Sequence, residues 1–237
     1  NFKVRIDGPV EDLYVSAEVF GAGPDMIQNQ ELITEDKTVT VSVRIPNPSL
    51  WTPETPNLYD FELSILKKDK TVIDRVRSYL GFRQFECRNG QFHLNGRPFY
   101  LISALDQGYN PTGLYTPPTD DFQREDVLWA KRYGLNNIRK HQIVPEPRFL
   151  YWCDRLGLTV WGEMADWGSD IQDADGFLRQ WLPSVRRDIN HPSIITWVPL
   201  NEQRADSKLN DSKVTIYEQT RQLDPTRPVV NNSGWGH

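Results

Sequence analysis

At 237 residues the chain has room for two domains or one large one. Its 27 basic and 32 acidic residues give a net charge of −5, and no basic stripe is present to hold nucleic acid. The longest apolar runs, such as Phe99 to Ala104, are far too short to span a membrane. Two cysteines, Cys87 and Cys153, cannot make a disulfide framework. Cys153, on the buried side of a predicted helix, reads as a small buried thiol, since no His or Asn is placed to activate it.

From residue 1 to about residue 86 the hydrophobic period is two. Lys3 to Asp7, Leu13 to Val19, Val39 to Ile45 and Leu58 to Ile65 alternate inward and outward residues and are rich in β-branched and aromatic side chains. Turn material separates several of them: Asp7-Gly8-Pro9, Gly21 to Asp25 and Lys68-Asp69-Lys70. Six or seven short strands at this spacing predict an antiparallel sandwich of immunoglobulin type. Because Asn1 to Ile6 already alternate like a strand, the chain reads as starting inside a domain.

A hinge follows. Gln91 to Phe99 reads as a hairpin around Asn95-Gly96, a dipeptide suited to positive φ. Beyond it the pattern becomes strand, loop, helix. Phe99 to Ser103 is the first predicted strand. Thr119 can cap a helix that runs to Tyr133 and is closed by Gly134. Asn137 to Arg139 is a second strand, with a helix from about Pro147 to Leu156 closed by Gly157. Leu158 to Trp161 is a third, followed by a helix through Phe177, Trp181 and Val185. Ile194 to Leu200 is a fourth, with a helix near Val214 to Leu223, and Pro228 to Asn231 opens a fifth. Alternating β and α elements predict a parallel sheet. The expected organisation is a sandwich over 1–86 and the first part of a (β/α)8 barrel, about five strands, over 87–237. A complete barrel takes ~250 residues, and only about 140 run from Phe99 onward, so the chain reads as a fragment.

Two segments carry a resemblance. Leu50-Trp51-Thr52-Pro53-Glu54-Thr55-Pro56-Asn57-Leu58-Tyr59 places a buried-looking Trp before two prolines and a strand. Asn190-His191-Pro192-Ser193 leads into the apolar strand that ends on Asn201-Glu202. The first is similar to a segment of the sandwich domain of glycoside hydrolase family 2, and the second resembles that family's acid/base signature. Strand C-termini are where barrel enzymes place catalytic groups. The resemblance implies that Glu202 is the general acid/base and Asn201 a ligand of the substrate 2-hydroxyl; the plainer reading of Glu202 is a salt bridge to Arg204. An acid working near neutral pH needs a partly apolar surround and a neighbouring carboxylate to keep its proton.

The family's Arg-x-Ser-His-Tyr-Pro is similar to Arg139-Lys140-His141-Gln142-Ile143-Val144-Pro145, with the His one residue early. Arg139 there can hold a catalytic carboxylate ionised or sit in a barrel-core ion pair, and His141 can go either way. Glu163 ends the third strand and can support the active-site network. Asp106, where relatives carry an Arg-His-Glu-like sequence, is a departure that can alter substrate contacts. Trp167 and Trp235 follow strand ends and can floor a sugar subsite or pack loops.

The family's nucleophilic Glu follows a seventh strand, so no residue of this chain takes that role. The resemblance implies an exo-acting retaining β-glycosidase of β-galactosidase or β-glucuronidase type, acting on a β-linked glycoside or oligosaccharide. No organic cofactor is expected, and no metal, because no His/Glu cluster has ligand spacing. The rival readings are a non-catalytic carbohydrate-binding or scaffold protein derived from a glycosidase, and an unrelated barrel glycosidase. The sandwich and its Trp51 segment argue against the latter.

Overall fold

The structure is a computed structural model and describes residues 1–21, 27–166, 173–204, 206, 209 and 212–234. The chain divides into two compact units, one of residues 1–49 and 57–82, the other of 50–56 and 83–237.

The first unit holds six strands among its described residues: β1 (Phe2–Arg5), β2 (Leu13–Val19), β3 (Ile27–Leu32), β4 (Thr38–Val41), β5 (Tyr59–Lys67) and β6 (Val72–Leu80). One antiparallel sheet runs β3-β2-β5-β6, and β1 pairs with β4 in a second. Val15 lies opposite Ile65 and Ala17 opposite Leu63. Their shared face closes over Ile6, Ile33, Val39 and Val41, giving a sandwich core. The edge strand β6 turns Arg75 and Arg77 onto the buried Glu62, at 2.9 and 2.8 Å, so charge guards an otherwise open edge. The period-two reading missed β3 because its Gln28-Asn29-Gln30-Glu31 stretch has no apolar alternation.

The second unit begins with a three-stranded antiparallel ribbon, β7 (Phe85–Arg88), β8 (Gln91–Leu94) and β9 (Arg97–Pro98). Asn95 and Gly96 turn at φ 52° and 78°, the left-handed pair that a two-residue hairpin requires. Phe85 and Leu94 pack on Ile195, flanked by Phe92, Phe99 and Trp161.

Then come β10 (Ser103–Asp106), α1 (Asp120–Arg132), β11 (Asn137–Lys140), α2 (Pro147–Leu156), β12 (Thr159–Glu163), α3 (Ala174–Asp188), β13 (Ile194–Val198) and α4 (Lys213–Leu223). The four strands are parallel and in sequence order. Single parallel bridges join Trp197 to Val229 and Asn201 to Ser233, so the fifth segment lies beside β13 without forming a continuous ladder. This is the opening portion of a barrel. Its helix-side core gathers Val127, Leu150, Val160, Phe177, Trp181, Ile194, Trp197 and Ile216.

Local signals set the helix ends. Thr119 Oγ1 accepts the Phe122 N–H, and Gly157 closes α2 at φ 76°. The first strand departs from expectation, lying at 103–106 rather than 99–103. The Asn136 side chain explains the shift: it accepts the Ile102 N–H and donates to Tyr100 O. Residues 100–102 are thereby held by an amide, and the ladder begins only at Ser103.

Within the Trp51 segment, Asn57 to Tyr59 stay with the first compact unit, while Leu50–Pro56 group with the second. Trp51 is fully buried there, and its Nε1 donates to Asp154 O at 2.8 Å.

Candidate active site

Side chains alternate along a strand, so neighbours Arg139 and Lys140 leave β11 on opposite faces. Arg139 joins Glu163 and Asn201. Its Nε donates to Glu163 Oε2 at 2.6 Å, and its Nη2 donates to Asn201 Oδ1 at 2.9 Å. Glu163 is buried at the end of β12. Its other oxygen lies 2.8 Å from His141 Nδ1 and accepts the Gln142 N–H at 3.0 Å. One carboxylate thus ties the end of β11 to the end of β12, and the Arg139 guanidinium carries the link on to the loop after β13.

That loop presents Glu202. The side chain is exposed, and its backbone N–H donates to Ser233 O at 2.6 Å. The residue lies in the left-handed region at φ 52°. Gly234 opposes it so closely that a Cβ there would stand 2.6 Å from Glu202 Cγ. Any side chain at this position would force the Glu202 side chain to shift. Because Asn201 Oδ1 is taken by Arg139, its Nδ2 is oriented as a donor, buried and without an acceptor among the described residues.

Asp106 stands apart from this group. It lies opposite Lys140 in the β10–β11 register, and Lys140 Nζ donates to its Oδ2 at 2.6 Å while sitting 4.2 Å from the centre of the Phe149 ring. The pair therefore occupies the helix-side face. Trp167 and Trp235 lie outside the described residues. Cys153 is fully buried, and burial pushes its thiol well above the ordinary range. Among the described residues no group of three or more His, Cys, Asp or Glu is arranged to hold a metal ion.

Four further residues shape the site. Gln142, Asp166, Gln203 and Asn232 supply hydrogen bonds that fix the loops. Only the proximity of Gln142 to Arg139 and of Gln203 to Glu202 hinted at any of them.

Comparison with known proteins shows the family. The family model for glycosyl hydrolases family 2 matches residues 4–83, and the model for the family 2 TIM barrel domain matches residues 85–235. The chain belongs to glycosyl hydrolases family 2. It is 31% identical over 209 residues to a β-galactosidase of Photobacterium profundum, covering 84% of this chain and 20% of that protein. It is 32% identical over 209 residues to one of Vibrio vulnificus, with the same coverages. The chain thus spans about a fifth of the length of the curated relatives it matches. Among solved structures, a glycosyl hydrolase family 2 member from Bacteroides cellulosilyticus superposes with TM-score 0.81 at 25% identity, covering 93% of this chain and 30% of that one. A β-glucuronidase of Bacteroides uniformis gives 0.76 at 26%, covering 92% and 29%.

Proposed function

We propose that this chain carries the acid/base half of a retaining β-glycosidase site, with Glu202 as the general acid and then base. The observation that carries the reading is the exposed Glu202 carboxylate, presented on the loop after β13 beside the oriented amide of Asn201. Glu202 protonates the leaving oxygen, and Asn201 Nδ2 donates to the substrate 2-hydroxyl. Arg139 and Glu163 act one step back by fixing Asn201. Retention needs a second carboxylate ~5–5.5 Å from the first, acting as nucleophile. Glu163 does not serve, because both of its oxygens are already engaged and its side chain is sealed from solvent. The nucleophile is supplied by sequence outside these 237 residues, so the isolated chain hydrolyses no aryl β-galactoside or β-glucuronide. The substrate class is a terminal β-galactoside or β-glucuronide, in keeping with the names of the relatives above.

The test is Glu202→Gln in a full-length enzyme containing this segment, with kcat/KM measured across aryl glycosides of differing leaving group. Poor leaving groups should lose far more than activated ones, which depend less on protonation. An equal loss across the series would remove Glu202 from the role of acid. Robust turnover by the isolated chain would overturn the two-carboxylate division.

A further inference from the structure

Glu202 occupies a backbone conformation that residues with a Cβ avoid. Such a conformation persists only where its surroundings over-determine it. On one side the restraint comes from the segment after α4. Asn232 Oδ1 accepts the Gln203 N–H at 3.0 Å, Asn232 Nδ2 donates back to Gln203 O at 3.0 Å, and Ser233 O accepts the Glu202 N–H.

On the other side stands one residue, Asp166, fully buried after β12. Its Oδ2 accepts the Asn201 N–H at 2.8 Å, and its Oδ1 accepts Gln203 Nε2 at 2.7 Å. Asp166 therefore grips the residue before Glu202 and the residue after it. Its own backbone is tied in turn, because Asp166 O accepts Gln142 Nε2 at 2.9 Å, and the Gln142 N–H reaches Glu163. Burying a carboxylate is costly, and a turn alone does not require one. What an aspartate adds here is two acceptors facing two donors that flank a single residue.

We propose that Asp166 is a positioning residue for the acid/base, holding Glu202 in its left-handed turn by hydrogen bonding across the β12 and β13 loops. The proposal rests on the reading of Glu202 as the acid. Without Asp166 the Asn201 N–H and the Gln203 amide lose their acceptors, the turn relaxes, and the carboxylate leaves its place above Gly234. Asparagine can replace the aspartate: its oxygen still accepts from Asn201, and its amide donates to Gln203 once that side chain turns over.

The experiment compares Asp166→Ala, Asp166→Asn, Gln203→Met and Glu202→Gln in a full-length enzyme containing this segment, by kcat/KM with poor and activated aryl leaving groups. Asp166→Ala should lose on the order of 10²-fold with poor leaving groups, the cost of misplacing a catalytic group by about 1 Å, and much less with activated ones. Asp166→Asn should recover most of that loss. Gln203→Met, which keeps the Asp166–Asn201 bond, should show the same pattern at smaller size and covers the case in which Asp166→Ala does not fold. An equal loss for both leaving-group classes, an Asp166→Asn as impaired as Asp166→Ala, or a Gln203→Met without the pattern would overturn the proposal. If Glu202→Gln shows the leaving-group dependence and the Asp166 variants do not, the positioning role alone fails. If Glu202→Gln lacks it, the acid assignment fails first.

Discussion

Replacing Glu163 by alanine removes the carboxylate that joins Arg139, the His141 ring and the Gln142 N–H. The Glu163 side chain is 0% exposed and that of Arg139 only 18%, so water cannot readily take over. Arg139 would keep Asn201 Oδ1 as an acceptor but lose its counter-charge. Removing one member of a buried ion pair costs about 3–5 kcal/mol, because the other charge stays buried. Glu163→Gln retains one acceptor and most of the volume, so its cost should fall to about 1–3 kcal/mol. The segments that make up the first unit, 1–49 and 57–82, contain no tryptophan in their sequence. Guanidinium unfolding followed by tryptophan fluorescence therefore reports the second unit selectively, with the difference taken from midpoints at constant slope. A Glu163→Ala variant within ~1 kcal/mol of the parent would refute the view that this carboxylate is the hub of the strand ends.

Two more variants probe backbone geometry by the same unfolding experiment. Glu202→Gly should stabilise the chain by roughly 0.5–1 kcal/mol, since glycine relieves the left-handed strain at a small entropic cost; any destabilisation would contradict the strained-turn account. Gly157→Ala should cost more than about 2 kcal/mol, combining an unfavourable φ of 76° with a Cβ 2.2 Å from Pro53 O; a neutral result would argue against that close approach.

Sequence made some of this legible and hid the rest for physical reasons. Helices announced themselves through local chemistry: the Thr119 cap, and Pro147 at one end of α2 with Gly157 at the other. Strand positions set by distant side chains did not. The Asn136 amide, which delays the start of β10, acts on residues 34 and 36 positions earlier. Arg139, Glu163 and Asn201 could be suspected from their strand ends, and the structure brings them together. Asp106, expected to alter substrate contacts, is carried by the parity of paired strands to the other face with Lys140. Asp166 gave no such signal, because it lies three residues past the end of β12 and meets Asn201 and Gln203 only in the folded chain.

The seven residues Leu50–Pro56 are spelled between two strands of the first unit yet belong to the second. Trp51 contributes its indole to the interior there, Asn95 Nδ2 donates to Trp51 O at 3.0 Å, and Lys131 Nζ donates to Pro53 O at 3.0 Å. The units are therefore not beads that a genetic crossover can exchange at residue 83. A splice there would install a foreign heptapeptide against this interior and leave an indole-sized mismatch for the recipient to absorb. Inheritance of the barrel portion therefore requires that heptapeptide as well, although it is spelled ahead of residue 57.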